Sequence, residues 1–369
     1  MKRVVLYPYD VTDIHVLQHM DMTVYLNKED LRLFCVAPRG GGYEGEDAGA
    51  KIGIATKICV ESDYNRLIKN ADILIITESF LPISETEIIH KIEDALLKGI
   101  EVIVLRKLSL SVQKLLLEKT HNNPNLKLYD GNKIRLNDDI DINDRTIEKV
   151  PAPIILVIGA GERCCKFDVQ LELRRELHKR NYKITQIGSK NYSEFYGFHA
   201  FPDFMFSYGE DSESTKIIGF NKYILQLYKE ENPDVIIIGV PGGAFPYDDF
   251  FHNEFGILNY YVSHAVMADY IIFNSLYVDN MQGYLNDVIN QLYNKYDYEV
   301  DQVYVSNFAL NYPVSKSDKE LSYITCNTQF VIEKTDGTST FTIFDNKTKE
   351  KSIKKLVSTL QEYANISVL

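Results

Sequence analysis

Short unbroken runs of β-branched and other apolar residues recur along this chain, with helical patterns between them. Arg3–Tyr7 (RVVLY), Leu31–Ala37 (LRLFCVA), Ala71–Thr77 (ADILIIT) and Glu101–Leu105 (EVIVL) are the first four. A strand with one face in water alternates apolar and polar residues. A run without alternation reads as buried on both faces, as in a parallel sheet covered by helices. Ser84–Lys98 (SETEIIHKIEDALLK) supplies one such helix: it opens with a Ser-x-x-Glu capping box, stops at Gly99, and carries Ile88, Ile89, Ile92 and Leu96 on one face. Leu108–Lys119 reads as a second. The alternation predicts an α/β, Rossmann-like first domain over residues 1–125.

The rhythm then breaks. Asn122-Asn123-Pro124, Asp130-Gly131 and the acidic run Asn137–Asp141 (NDDID) are turn and loop signals, so 126–150 is expected to be a linker with a hairpin. A second domain is expected over 151–369. Its strands are Ile154–Ile158 (IILVI), Lys183–Ile187, Asp234–Val240 (DVIIIGV), Asp269–Asn274 (DYIIFN) and Gln302–Asn307. Its helices are 164–180, 216–231, 257–267 and 282–296. Near the end, Gln329–Glu333 and Thr338–Phe344 flank Asp336-Gly337, a hairpin signal, and Lys349–Tyr363 closes the chain as a helix. With 369 residues at roughly 150 per domain, two domains fit the length.

Charge and cysteine usage narrow the class. The net charge of −12 repels phosphate backbones and anionic lipid, so neither nucleic acid nor membrane is an expected partner. No apolar run approaches the roughly 20 residues that span a bilayer. Met1-Lys2-Arg3 leads directly into a strand, so no signal peptide is expected. Five cysteines, an odd number without a CxxC pair, point to reduced thiols and a cytoplasmic location, and the eight scattered histidines offer no metal site.

The sharpest local feature is Ile154–Asp168 (IILVIGAGERCCKFD), where a buried strand runs through a glycine turn into a helix. Such a turn gathers backbone N–H groups at the positive end of a helix and so favours an anion. Gly159, Gly161, Glu162, Arg163, Cys165, Lys166 and Asp168 are the residues expected to hold it, with Ser189, Gly242 and Gly243 from neighbouring strand ends. Lys166 would neutralise phosphate. Two patterns compete, and neither is complete. Against Walker A, G-x-x-x-x-G-K-[ST], Lys166 matches, Cys165 stands for the second glycine and Phe167 for the hydroxyl that orders magnesium. Against G-x-G-x-x-G, Gly159 and Gly161 match, Cys164 stands for the third glycine, and the next strand ends at Ser189-Lys190 without an acid. The strand at 234–240 also lacks an acid at its end. A tight turn that binds nothing is the alternative.

The segments PAPIILVIGAGERCCKFDVQLELRRELHKRNYKI and NPDVIIIGVPGGAFP resemble a two-domain bacterial family that joins a Rossmann-like domain to a P-loop-fold domain and includes D-glutamate N-acetyltransferases. Gly161–Gln170 (GERCCKFDVQ), Gln186–Lys190 (QIGSK), Gly197–Pro202 (GFHAFP) and Pro233–Gly243 (PDVIIIGVPGG) are similar, more closely, to peptide maturation proteins of clostridial ribosomal-peptide (bacteriocin-like) clusters. The resemblance implies a P-loop-like second domain with a degenerate Walker A and a place in a peptide pathway. The broader family carries Gly-Lys-[ST or MT] where this chain has Cys165-Lys166-Phe167.

Other residues are weighed on their own chemistry. Cys164 and Cys165 lie at a helix start beside Arg163 and Lys166, which favours thiolate, and Cys164 is a candidate nucleophile. A small buried residue is the alternative for each. His199 follows the second strand of its domain and is a candidate general base, or else packs among Tyr196, Phe198 and Phe201. Phe245–Phe255 (FPYDDFFHNEF) reads as a lid or peptide-recognition loop, with a dimer contact or core as the alternative. Arg39–Tyr43 (RGGGY) reads as a flexible loop, and the first strand–helix turn, Tyr7–Asp10, has no glycine, so the first domain is not expected to bind a dinucleotide.

The expected function is an accessory role in maturing a ribosomally synthesised peptide, with ATP, GTP or another phosphate-bearing cofactor held at 159–168. Two alternatives stand beside it: a non-catalytic peptide-binding scaffold, and an acyl or amino-acid transferase with a coenzyme A donor. The expected partners are a precursor peptide and a peptide-modifying enzyme, and the acidic, aromatic-rich surface allows a homodimer.

Overall fold

The computed structural model describes residues 1–366 except 27, 28, 39, 121, 122, 132, 137 and 208–210. Arg39, Asn122 and Asn137, named above in loops and turns, lie outside the described residues. The chain divides into two units: Met1–Gly131 with Asn191–Gly197, and Asn132–Lys190 with Phe198–Leu369.

The first unit is a parallel α/β sheet. Its elements are β1 (Lys2–Tyr7), α1 (Ile14–Gln18), β2 (Leu31–Val36), β3 (Val60–Glu61), α2 (Tyr64–Ile68), β4 (Ile73–Ile76), α3 (Glu85–Leu97), β5 (Glu101–Val104), α4 (Leu110–Lys119) and β6 (Leu126–Leu128). The sheet order is β3-β2-β1-β4-β5-β6, every pairing parallel. This is the Rossmann order, and it follows from the continuous apolar runs: Val5, Tyr7, Leu74, Ile76, Val102 and Val104 are buried against Ile88, Ile92 and Leu96 of α3. Ser84 caps α3 by accepting from Glu87 N–H at 3.2 Å. Leu126–Leu128, expected in the linker, is a sixth strand, with Leu126 opposite Val102. The segment 191–197 also packs with this unit: Tyr192 and Phe195 are buried, Tyr192 Oη meets His15 Nε2 at 2.9 Å, and Val24 N–H donates to Phe195 O.

The second unit contains β7 (Ile154–Gly159), α5 (Lys166–Lys179), β8 (Ile184–Gly188), β9 (His199–Ala200), α6 (Glu213–Glu231), β10 (Val235–Gly239), α7 (Ile257–Ala265), β11 (Tyr270–Tyr277), α8 (Met281–Tyr296), β12 (Gln302–Leu310), α9 (Tyr312–Asp318), β13 (Tyr323–Thr325), α10 (Thr328–Lys334), β14 (Thr340–Phe341) and α11 (Asn346–Ile366). The order is β13-β12-β11-β7-β10-β8-β9, with β14 also on β12 and β13 antiparallel. The alternation within IILVI serves both faces. Ile155 and Val157 face a core with Val169, Leu173 and Leu177 of α5 and Leu356 of α11. Ile154, Leu156 and Ile158 face Phe220 and Ile224 of α6, Val262 of α7 and Leu292 of α8.

The hairpin expected around Asp336-Gly337 is not formed. Thr328–Lys334 is helical: Asn327 Oδ1 accepts from Gln329 N–H at 2.9 Å, Gln329 bonds Glu333 one turn on, and Val331 is fully buried. Thr340–Phe341 pairs in parallel with β12 instead. A short apolar run fits helix and strand alike, and here the cap and the burial of Val331 decide.

Candidate functional site

The glycine turn sits at the C-terminal end of β7, the strand flanked by β10 on one side and β11 on the other. The chain leaves β7 toward β8 in one direction and later fills β11 and β12 in the other. That reversal is the crevice where parallel α/β sheets receive ligands. The turn is pinned from both neighbours: Ala160 N–H donates to Asn274 O at 2.8 Å, and Ala244 N–H to Gly159 O at 2.9 Å.

Both glycines are demanded by close approach. A Cβ on Gly159 would collide with Cys164 Sγ and lie 2.8 Å from Lys166 Cδ. A Cβ on Gly161 would strike the phenol of Tyr247. Beyond them the backbone alternates. Arg163 and Cys165 both take φ 57°, in the left-handed region, whereas Cys164 and Lys166 do not. Left- and right-handed residues in alternation turn successive N–H groups to one side, which makes an anion-binding nest. Cys165 is then the N-cap of α5, without a side-chain bond to the helix, so the first-turn N–H groups keep no cap of that kind.

The side chains add charge. Lys166 is buried, and its ammonium donates to Gly242 O. Burial pushes the Glu162 carboxyl up, but Lys190, Lys166 and Arg163 together outweigh it and hold Glu162 below the usual range. The Arg163 guanidinium lies 4.6 Å from the centre of the Tyr323 ring. Burial pushes Asp168 up to about 7, and its Oδ1 has no hydrogen-bond partner. Gly242, at φ 71°, and Gly243 line a cavity of about 200 Å³ together with Glu162, Asn253, Glu254 and Leu258.

The structure therefore brings Gly159, Gly161, Glu162, Arg163, Cys165, Lys166, Gly242 and Gly243 around one turn. Ser189 joins them through Gln170: Gln170 Nε2 donates to Ser189 Oγ at 2.9 Å and to Lys166 O at 3.1 Å, and Ser189 N–H donates to Gln170 Oε1 at 3.2 Å. His199 is held elsewhere. Its Nε2 lies 2.6 Å from Glu231 Oε1, on the last residue of α6, whose other oxygen accepts from Thr185. His199 itself lies on β9, the edge strand, where it pairs with Ile187, and β8 and β10 stand between it and β7.

The thiolate expected at the turn is not supported. Burial pushes both Cys164 and Cys165 above the ordinary thiol range, more than the nearby Lys166 lowers Cys164. Cys164 Sγ bonds Gly161 O at 3.0 Å and packs on Gly159. Phe167 is buried and meets the Phe198 ring at 5.7 Å, so the position of the magnesium-binding hydroxyl is filled by an apolar contact. Among the described residues, no group of three His, Cys, Asp or Glu is arranged to hold a metal ion.

Four residues frame the turn: Asn253 and Tyr247 from the loop singled out at 245–255, and Gln170 and Asn274, which carried no motif. Gln170 approaches Gly239 so closely that a Cβ there would overlap its amide. Asn253 Nδ2 donates to Ala160 O at 3.2 Å and to Phe245 O at 3.0 Å. Asn274 Nδ2 donates to Ile158 O at 2.8 Å, and Tyr247 covers Gly161. One signal was available: Gln170 is a polar residue one turn after Lys166, on a face that helical spacing buries.

Sheet order and turn define a two-domain α/β protein, Rossmann-like in its first part and P-loop-like in its second, with a degenerate Walker A. The chain is similar in fold to a DUF1611 family protein from Anabaena variabilis ATCC 29413, over 98% of this chain and 100% of that one, with a TM-score of 0.58. At 11% identity the likeness is one of fold. Partial likenesses reach a GTPase in apo form from Pyrococcus abyssi (TM-score 0.24, 11% identity, 42% of this chain and 66% of that one) and the signal recognition particle 54 kDa protein from Aeropyrum pernix K1 in complex with GDP (TM-score 0.28, 10% identity, 60% and 47%). No protein-family model matches the chain, and no curated protein matches it significantly. No helix among the described residues is long and apolar enough to cross a membrane.

Proposed function

We propose that the second unit binds a phosphate-bearing cofactor at residues 159–168, and that the chain serves as an accessory protein in maturing a ribosomally synthesised peptide. One observation carries the first part: Arg163 and Cys165 hold left-handed backbone where the Walker pattern would place glycine at the second of them. For residues with a side chain this costs on the order of 1–2 kcal/mol each. Strain of that size persists where the backbone is over-determined, and the conformation it preserves is the one that gathers N–H groups for an anion. Lys166, Lys190 and Arg163 supply positive charge around it. Lys166 would exchange Gly242 O for a phosphate oxygen by rotating its flexible stem.

The residues do not fit the usual magnesium contact, since Phe167 brings a ring in place of a hydroxyl. The ligand is therefore held by N–H groups and cations, as suits the phosphates of ATP or GTP or the pyrophosphate of a coenzyme A donor. Any catalysis would come from positioning and charge stabilisation. The peptide role rests on the sequence resemblance in Gly161–Gln170, Gln186–Lys190, Gly197–Pro202 and Pro233–Gly243.

The second reading, a scaffold whose loop holds nothing, is favoured by Lys166 satisfying itself on Gly242 O. Thermal unfolding with ATP, GTP, ADP and coenzyme A, with and without magnesium, separates the two. A ligand at about 100 times its Kd stabilises by roughly 2.7 kcal/mol. We expect such a shift in the wild type and its loss in Lys166→Ala. Equal curves for every ligand in both proteins would leave the turn structural.

A further inference from the structure

The loop that covers the glycine turn is strained, rigidly held, and apolar on its outer side. Phe250 is 55% exposed and Phe255 60%, and Ile257 and Tyr260 beside them are also open to solvent. The loop is not slack. Asp248 accepts from the N–H groups of Phe250 and Phe251 at 2.7 Å each, and Tyr247 N–H donates to Phe251 O at 2.9 Å. Phe251 is buried and takes the edge of the Phe250 ring at 4.9 Å.

The next four residues form a turn of the wrong hand. Asn253, Glu254, Phe255 and Gly256 take φ of 45°, 49°, 54° and 71°. Three residues with side chains in this region are costly together, so the surroundings must hold them. Asn253 anchors the turn to Ala160 O, Lys295 Nζ donates to Phe255 O at 2.6 Å, and Tyr296 Oη donates to Gly256 O at 3.0 Å. The outcome is that Glu254 and Phe255 stand in solvent, with the His252 ring stacked on Phe255 at 4.7 Å.

Charge names the occupant. Residues 245–256 contain Asp248, Asp249 and Glu254 and no Lys or Arg. Two cations that approach the loop have partners: Lys295 donates to the Phe255 carbonyl, and Lys316 lies near Asp248 and the Tyr312 ring. Exposed rings on an acidic loop, here Phe250 and the side of Phe255 away from His252, attract guanidinium or ammonium groups, because ring face and carboxylate both favour the cation.

We propose that Asp249, Phe250, Glu254 and Phe255 form a docking surface for an Arg- or Lys-bearing segment of a peptide. The proposal rests on the reading above that a peptide is this chain's partner. It adds which part of a peptide is recognised and where: beside the phosphate turn, which this loop touches through Asn253 and Tyr247.

Fluorescence anisotropy with two labelled synthetic peptides, alternating Arg-Leu and alternating Glu-Leu, tests it on the full chain. The Arg peptide should bind and weaken with added salt, while the Glu peptide should not bind. Phe250→Ala with Phe255→Ala should weaken the Arg peptide about tenfold, as two lost cation–ring contacts would. Asp249→Asn with Glu254→Gln, a nearly isosteric change that leaves the turn's anchors in place, should weaken it similarly. Lys166→Ala should leave peptide binding unchanged, so failure of the phosphate reading and failure of this one are told apart. Equal binding of both peptides, or patch variants that bind like wild type, would overturn the proposal. So would light scattering that shows a dimer converted to monomer by the patch variants, since the face would then belong to a second copy.

Discussion

Asp168 sits in the first turn of α5, buried, with one carboxylate oxygen unpartnered and a pKa pushed from 3.8 to about 7. Replacing it by Asn keeps the shape and removes the charge. The unfolded chain loses the Asp168 proton near pH 3.8, while the folded chain holds it to about 7. Between those values the native state binds more protons than the unfolded state, so stability falls as pH rises through the window and the loss is complete above about 7. At 1.36 kcal/mol per pH unit the whole effect is roughly 4 kcal/mol. Urea unfolding of wild type and Asp168→Asn at pH steps from 4 to 8, followed by tyrosine circular dichroism, isolates it in the difference between the two. The variant should gain on wild type with each step up to about pH 7 and keep a constant lead beyond. Parallel pH profiles would refute the reasoning, because they would mean that Asp168 ionises in the fold without cost.

Other outcomes follow from contacts at the same turn. Gly161→Ala should destabilise by roughly 1–3 kcal/mol as its methyl meets Tyr247, and should cost less when introduced into Tyr247→Ala than into wild type; urea midpoints around the double-mutant cycle check it. Phe167→Thr restores the Walker hydroxyl but removes a buried ring from Phe198. It should cost roughly 3–5 kcal/mol by the same assay without making ligand binding magnesium-dependent. Iodoacetamide near pH 8, read by peptide mass analysis, should label exposed Cys59 well before Cys164, whose thiol burial holds protonated.

Strands buried on both faces were legible because their physics is local. IILVI and ADILIIT need no partner to announce that both sides are covered, and the capping box at Ser84 marks its own helix. What sequence could not show is decided by distant partners. Thr328–Lys334 has apolar residues that suit either structure, and only the pocket that buries Val331 and the Asn327 cap select the helix. Tyr192 and Phe195 look like loop residues of the second domain, yet their partners are His15 and Val24, far away in sequence.

At the glycine turn the same distinction separates local geometry from desolvation. Gly159, Gly161 and Lys166 were legible because a strand, a tight turn and a helix start lie within one short segment. For the Cys164 thiol, a helix dipole and neighbouring cations can be read from sequence, whereas the desolvation that pushes it up cannot. Cys164 lies beneath the turn against Gly159, and that burial outweighs Lys166. The same burial turns Phe167 inward onto Phe198, a contact made across the fold by a residue thirty-one positions on. A pattern comparison scores Cys165 and Phe167 as equal departures from Walker A. Structurally they differ in kind. Cys165 keeps the left-handed backbone that glycine would have supplied, so the path of the turn survives the change of side chain. Phe167 commits its side chain to the core, so the hydroxyl cannot return without loss of packing. The turn's backbone geometry and the magnesium-ordering hydroxyl, joined in the motif, are thereby separated in this chain.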